Sequence, residues 1–223
     1  FPYTTLFRSC EEDWVKDFQG LSLRNVNLKV LVDGDVKKEM FGEMLFTHFG
    51  VSGPIILTLS RDIAKWLREG KTVELSLNLK PALTKEQLDK RICRDFEKYS
   101  RKQIKNALGD LLPSKMISTV IDLAFIDENK FVNQISKAER ERLVDLLQDM
   151  VMTVTKTRPL SEAIVTAGGI STKEINPKTM ESKLIKDLYC VGEVVDVDAF
   201  TGGYNLQAAF SMGFVAGEAS SLE

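Results

Sequence analysis

Between positions 188 and 217 the chain reads LYCVGEVVDVDAFTGGYNLQAAFSMGFVAG, and Glu193, Asp196, Asp198, Thr201, Tyr204, Asn205 and Gln207 crowd into one short junction with Gly192, Gly202 and Gly203. Carboxylates and amides at that density suit hydrogen bonds to a polar ligand. Adjacent glycines let a backbone come close to it, and the unpaired N–H groups that open a helix carry partial positive charge toward an anionic or electron-rich group. Gly192, Glu193, Thr201, Gly202, Gly203, Tyr204, Asn205 and Leu206 are the binding set this pattern predicts. The spacing by itself fits a plain strand–glycine–helix connection equally well; the density of polar side chains favours a ligand.

A second group lies far upstream, in LFTHFGVSGP, where His48 is the only histidine of the chain and Ser52 follows four residues later. With no carboxylate at a fixed spacing, an isolated histidine reads first as a structural or surface residue. Ser52 is not in a G-x-S-x-G elbow, and N-capping of a following helix is a sufficient role for it.

The elements that must position these groups follow from periodicity. The run 188–191 reads as a short buried parallel strand stopped by Gly192, and Leu206, Ala209, Phe210, Gly213 and Phe214 recur at helical spacing, so a helix is expected from just after Gly202-Gly203. Leu28, Val30 and Val32 alternate ahead of Asp33-Gly34, which predicts a β-hairpin over about 23–46. Val73, Leu75, Leu77 and Leu79 predict a further half-buried strand of that sheet. Pro54 suits the first turn of a helix carrying Ile55, Leu59, Ile63, Trp66 and Leu67. Positions 84–152 read as helical: capping boxes at Thr84/Gln87 and Ser136/Glu139 open stripes at Leu88, Ile92 and Phe96 and at Leu143, Leu147 and Met150. Two shorter helices are expected around 104–111 and 117–124, broken at Pro113. Gly168-Gly169 reads as an ordinary turn between strands near 154–158 and 164–166 and the C-terminal part.

Composition bounds the classes. The chain has 223 residues, 43% of them hydrophobic, and a net charge of −2, enough for a sizeable core and without bias toward nucleic acid or acidic membrane. Basic runs such as 98–105 are short and stand against a balanced overall charge, so no nucleic-acid partner is expected. No apolar run has the length of a membrane span, no signal peptide opens the chain, and a cytoplasmic location is the default. Three widely spaced cysteines imply neither a disulfide framework nor a dithiol centre, and no metal site is expected. The chain opens at Phe1 rather than Met, and Phe1–Ser9 resembles translated adapter sequence, so residues 1–22 are left unassigned.

VGEVVDVDAFTGGYNLQAAFSMGFVAG, with AIVTAGGIS (163–171), NPKTMESK (176–183) and LFTHFGVSGP (45–54), resembles the C-terminal two-thirds of bacterial flavoproteins of the aminoacetone-oxidase and bile-acid 3-dehydro-Δ4,6-reductase type. The resemblance runs from about Leu23 to the end. It implies an α/β fold in which residues 157–223 complete a FAD-binding Rossmann-like domain, and residues 23–156 form an inserted α+β substrate domain, a β-sheet capped by helices. It implies FAD as cofactor, NAD(P)H as electron donor, and hydride transfer to a small carbonyl, enone or amine substrate. On that likeness His48 and Ser52 become catalytic candidates on the substrate side. Glu193 is placed at a ribityl or ribose hydroxyl, one methylene longer than the Asp of many related flavoproteins. No G-x-G-x-x-G occurs in the chain, so a fragment lacking the pyrophosphate loop is expected. The competing reading is a non-catalytic truncated chain or a binding module built on the helices.

Overall fold

The computed structural model describes residues 3–4, 8–157, 166–199 and 203–221. The chain divides into two compact units: one holds Arg8–Ile56 and Trp66–Lys156, the other Phe1–Phe7, Leu57–Lys65 and Thr157–Glu223.

The first unit is built on the expected hairpin. Asp33 and Gly34 turn with φ of 52° and 87°, the left-handed pair of a type I′ turn, between β3 (Ser22–Val32) and β4 (Asp35–Thr47). Short strands β2 (Arg8–Cys10) and β5 (Gly50–Ser52) extend one side, and β6 (Val73–Asn78) and β7 (Met150–Thr157) the other. The six strands close into a barrel in the order β2-β5-β4-β3-β6-β7. Register shifts between Leu23 and Val26 and between Val30 and Leu31 interrupt the β3–β4 ladder, and such bulges supply the bending that closure requires. At the seam Glu11 N–H donates to Thr153 O at 3.0 Å, and the Glu12 carboxylate accepts from Thr153 N–H at 2.8 and 2.9 Å.

Strand β6 is half-buried as expected, with Glu74 and Asn78 of its outer face partly exposed. Val73, Leu75 and Leu77 are fully buried and Ser76 nearly so, its hydroxyl donating to Asp149. Helix α1 (Trp14–Asp17) precedes Phe18, whose ring meets Phe46 edge-on at 5.1 Å. Residues 8–22, left unassigned above, are thus part of the barrel unit.

Helices α3 (Lys85–Lys98), α4 (Ser114–Leu123) and α5 (Lys137–Gln148) cover the barrel unit, and both predicted capping boxes form. Two expectations fail here. Positions 104–111 make only a 3₁₀ turn at Ile104–Asn106, because Gly109 and Pro113 leave too short a run to pass the helix nucleation cost. Met150 belongs to β7 and not to the α5 stripe: Asp149 leaves helical geometry and the apolar alternation Met150, Met152, Val154 lines the barrel core.

Helix α2 (Pro54–Arg68) starts and ends in the barrel unit, while Leu57–Lys65 belongs to the second. That second unit pairs β1 (Tyr3–Thr4) with β8 (Thr166–Ala167) and ends in α6 (Tyr204–Ser220). Its core is Ile175, Met180, Cys190, Val195 and Ala216, with Ile170, Tyr189, Met212 and Val215 packed against them. The parallel strand expected at 188–191 is not formed. Tyr189 makes one antiparallel bridge to Glu181, Cys190 is buried, and Leu188 and Val191 are 41% and 38% exposed. A buried parallel strand needs a neighbour on each side, and among the described residues 188–191 has only the 181 side.

Candidate functional site

The β4–β5 hairpin carries the upstream group. Thr47 pairs with Gly50 and its hydroxyl donates to Gly50 O at 3.0 Å, which leaves His48 and Phe49 as the two-residue tip. His48 is exposed, its ring edge-on to Phe49 with centroids 4.5 Å apart. Ser52 is not the cap of α2: it sits in β5 opposite Leu45 and is 3% exposed. Gly53 holds the position before the helix at φ +96°, and a Cβ there would lie 2.8 Å from Met44 Cα and 2.9 Å from Leu45 N. Only glycine lets β5 turn into α2 so close to β4. The Ser52 hydroxyl has no hydrogen-bond partner among the described residues. Leaving a buried hydroxyl unpaired costs about 1–3 kcal/mol.

The downstream group is a set of interlocked loops. Gly168 and Gly169 have φ of 105° and 141°. A Cβ on Gly169 would fall 2.3 Å from Val194 O, so this glycine is required for close approach rather than for an ordinary turn. Ile170 N–H donates to Val194 O at 2.8 Å and Asp196 N–H to Ile170 O at 2.9 Å, while the Asp196 carboxylate accepts from Gly168 N–H at 3.1 Å. Asp198 forms an ion pair with Arg61 of α2. Asn205 binds Ala199 twice, its Oδ1 accepting from Ala199 N–H at 2.8 Å and its Nδ2 donating to Ala199 O at 3.2 Å.

Three of the polar side chains that stood out in the sequence therefore hold the junction together. Gln207 donates to Ser211 within α6; Glu193, in the 3₁₀ turn Gly192–Val194, is exposed and has no hydrogen bond or ion pair among the described residues. Gly192 opens that turn at φ 73° and faces Ala209 of α6, 3.8 Å from a would-be Cβ. Gly203, left-handed at φ 88°, caps α6 with no side-chain hydrogen bond, so the N–H groups of the first turn point their partial positive charge outward. Tyr204 and Leu206 are 62% and 61% exposed. Thr201 and Gly202 lie outside the described residues. Arg61 escaped sequence reasoning: 137 positions separate it from Asp198, and no local pattern marks such a pair.

Among the described residues no group of three or more His, Cys, Asp or Glu is arranged to hold a metal ion. No helix there is long and apolar enough to cross a membrane.

Residues 5–165 match the family described as HI0933-like protein barrel and H2TH domain. The chain belongs to this family. The match takes in the six-stranded barrel with its helices, and it begins ahead of Leu23. The chain is 32% identical over 197 residues to the 3-dehydro-bile acid delta(4,6)-reductase of Clostridium scindens, covering 88% of this chain and 48% of that protein. It is equally similar, at 32% over 193 residues, to the ribosomal RNA dihydrouridine synthase of Haemophilus influenzae, covering 86% and 46%. The Escherichia coli ribosomal RNA dihydrouridine synthase matches over 168 residues, 75% of this chain and 40% of that protein. The HI0933-like chain thus spans about half the length, or less, of the relatives it matches.

Proposed function

We propose that this chain is the substrate-binding barrel and part of the cofactor-binding region of a flavin-dependent oxidoreductase that saturates a carbon–carbon double bond conjugated to a carbonyl. The observation that carries the reading is the pair of relatives. A delta(4,6)-reductase acting on a 3-dehydro compound and a synthase of dihydrouridine both add hydrogen to such a bond, one in a steroid and one in a pyrimidine.

In this reading residues 157–223 complete a FAD-binding Rossmann-like domain, and residues 23–156 form the substrate domain. FAD, when bound, supplies a two-electron carrier between NAD(P)H and the substrate. The residues present fit such a group. The unpartnered Glu193 carboxylate accepts hydrogen bonds from a polyol hydroxyl. The uncapped start of α6, with Gly192, Gly203, Tyr204, Asn205 and Leu206, offers N–H groups to an electron-rich ring edge, and Thr201 and Gly202, next in sequence ahead of it, belong to the same proposed binding set. On the substrate side Ser52 and His48 hydrogen-bond the carbonyl oxygen, whose negative charge grows as hydrogen is added at the conjugated carbon; His48 holds the proton that is returned.

A small conjugated carbonyl compound is favoured over RNA because the basic run 98–105 is partly neutralised. Lys98 pairs with Asp110, and Lys105 lies against Glu128. The test is a chimera in which this chain replaces the aligned 197 residues of the C. scindens reductase. The expected product is a yellow protein that oxidises NAD(P)H when a conjugated enone is added. A folded but colourless chimera would instead support the non-catalytic reading, and activity on uridine in RNA alone would move the substrate to nucleic acid.

A further inference from the structure

On the barrel unit, α1, the C-terminal half of α4 and the loop 126–128 border a cleft of about 530 Å³, within the size range of small-molecule sites. Its floor is apolar, with Ile121 and Ile126 buried there. One wall is the partly buried indole of Trp14, tilted at 57° against Phe18 with ring centroids 5.5 Å apart. Phe18 is itself fully buried and packed on Phe46, so the barrel core holds the indole in place. The rest of the charged lining is acidic: Asp17, Asp122, Asp127 and Glu128 border the cleft, and no basic side chain does. Asp17, Asp122 and Asp127 have no ion pair among the described residues. Glu128 meets Lys105 only at 3.7 Å, while that ammonium donates to Asn129 Oδ1 at 2.7 Å. Neighbouring cations are engaged elsewhere, Lys16 with Asp13 at 2.7 Å and Arg142 with the carbonyls of Ala124 and Phe125. The last turn of α4 holds no basic residue, and its carbonyls add partial negative charge to the same end.

These carboxylates come from α1, α4 and the following loop, and they do not converge on a point: among the described residues no three acids are arranged to hold a metal ion. Negative charge is instead spread around an apolar floor, which suits a cation whose own charge is spread along an apolar body. We propose that the cleft binds an aliphatic diamine or polyamine, its methylenes laid on Ile121, Ile126 and the Trp14 indole and its ammonium groups at Asp17, Asp122 and Asp127. An ammonium over the indole face gains further attraction from the ring. A compact divalent ion would draw nothing from the apolar floor, and one Lys or Arg side chain of a partner would leave most of the space unfilled. No lining residue belongs to the candidate flavin or substrate set, so this site stands or falls independently of the redox reading.

The test is a titration of the chain with spermidine, read by tryptophan fluorescence. Trp14 and Trp66 are its two tryptophans, so Trp66→Phe leaves the cleft's indole as the only reporter. Saturation at roughly 10–1,000 μM is expected, because exposed carboxylates pair only weakly with an ammonium in water. Asp17→Asn combined with Asp122→Asn should raise that concentration about tenfold with the circular dichroism unchanged, since neither carboxylate holds a hydrogen bond among the described residues. If the double variant fails to fold, Asp122→Asn alone gives the comparison. An uncharged aliphatic diol of the same length should leave the fluorescence unaltered. No saturation by about 10 mM spermidine, or equal affinity in the asparagine variants, overturns the assignment. An equal response to Mg²⁺ at matched ionic strength does so too, by reducing the effect to a general ionic atmosphere. Tighter binding of an oligolysine peptide than of spermidine would likewise overturn it, moving the occupant to a basic partner segment.

Discussion

Asn205 is where the sequence and the folded chain assign different work to one side chain. At the start of a helix beside two glycines it looks like a ligand contact or an N-cap. Both ends of its carboxamide are instead spent on the backbone of Ala199. Asn205→Ala should therefore lower stability by about 1 kcal/mol, the net worth of one or two such bonds, and weaken cofactor binding only through loss of loop order. Calorimetric melting and flavin titration of the chimera with and without the substitution check this; an unchanged melt with a shifted flavin spectrum would return Asn205 to direct contact. Ser52 behaves oppositely. Its buried hydroxyl has no partner among the described residues, so Ser52→Ala should leave the melting temperature unchanged or higher while slowing turnover, since truncation removes an unsatisfied group. His48→Ala should leave flavin content intact and slow substrate-dependent reoxidation by ~10²–10⁴, the usual worth of a general acid. Normal reoxidation from that variant would make His48 a surface residue. The family resemblance, not residue identity, pointed to Ser52 and His48 from the sequence, whereas burial and an absent partner are properties of the fold, and they separate Glu193 from Asp196 and Asp198.

At the scale of elements, what was legible had a local cause. The Asp33-Gly34 turn, Pro54 at the head of α2 and the boxes at Thr84 and Ser136 each carry their signal within a few residues. The failures depended on distant chain. Barrel closure recruited Met150 into a strand, and among the described residues the run 188–191 lacks the neighbours that would make it one. The α5 box yields a pH prediction. Glu139 accepts from Ser136 N–H at 2.7 Å and from Lys130 Nζ at 2.7 and 2.9 Å. The Lys130 ammonium lowers its carboxyl from the ordinary 4.5 to about 2. A carboxylate whose pKa is depressed by folding stabilises fully above its unfolded value and loses that contribution as pH falls toward the folded one. The barrel unit should accordingly lose stability between pH 4.5 and about 2. Glu139→Gln, which preserves the cap acceptor but not the ion pair, should flatten that part of the stability–pH curve followed by circular dichroism. An identical curve for the variant would assign the acid sensitivity elsewhere. Ser136→Ala should cost about 1 kcal/mol at neutral pH, the usual value of an N-cap.

For the whole molecule the decisive quantity is how much of a cofactor this length of chain can hold. At the junction the described residues offer a dinucleotide the uncapped start of α6 and the Glu193 carboxylate, which has no partner among the described residues. A helix terminus contributes about 0.3–2 kcal/mol toward a charged group, and hydrogen bonds involving a charge about 1.5–3 kcal/mol each. Association itself costs roughly 4–15 kcal/mol in lost translational and rotational freedom. The balance leaves little net affinity, so this chain alone should bind FAD no more tightly than about millimolar. The chimera, with the remaining half of the C. scindens protein restored, should bind at least ~10³-fold more tightly, a gain of about 4 kcal/mol. Isothermal titration of both proteins at the same salt measures the difference directly. Sub-micromolar binding by the chain alone would mean that the cofactor is gripped by the barrel unit, and the division of labour between residues 23–156 and 157–223 would have to be reversed.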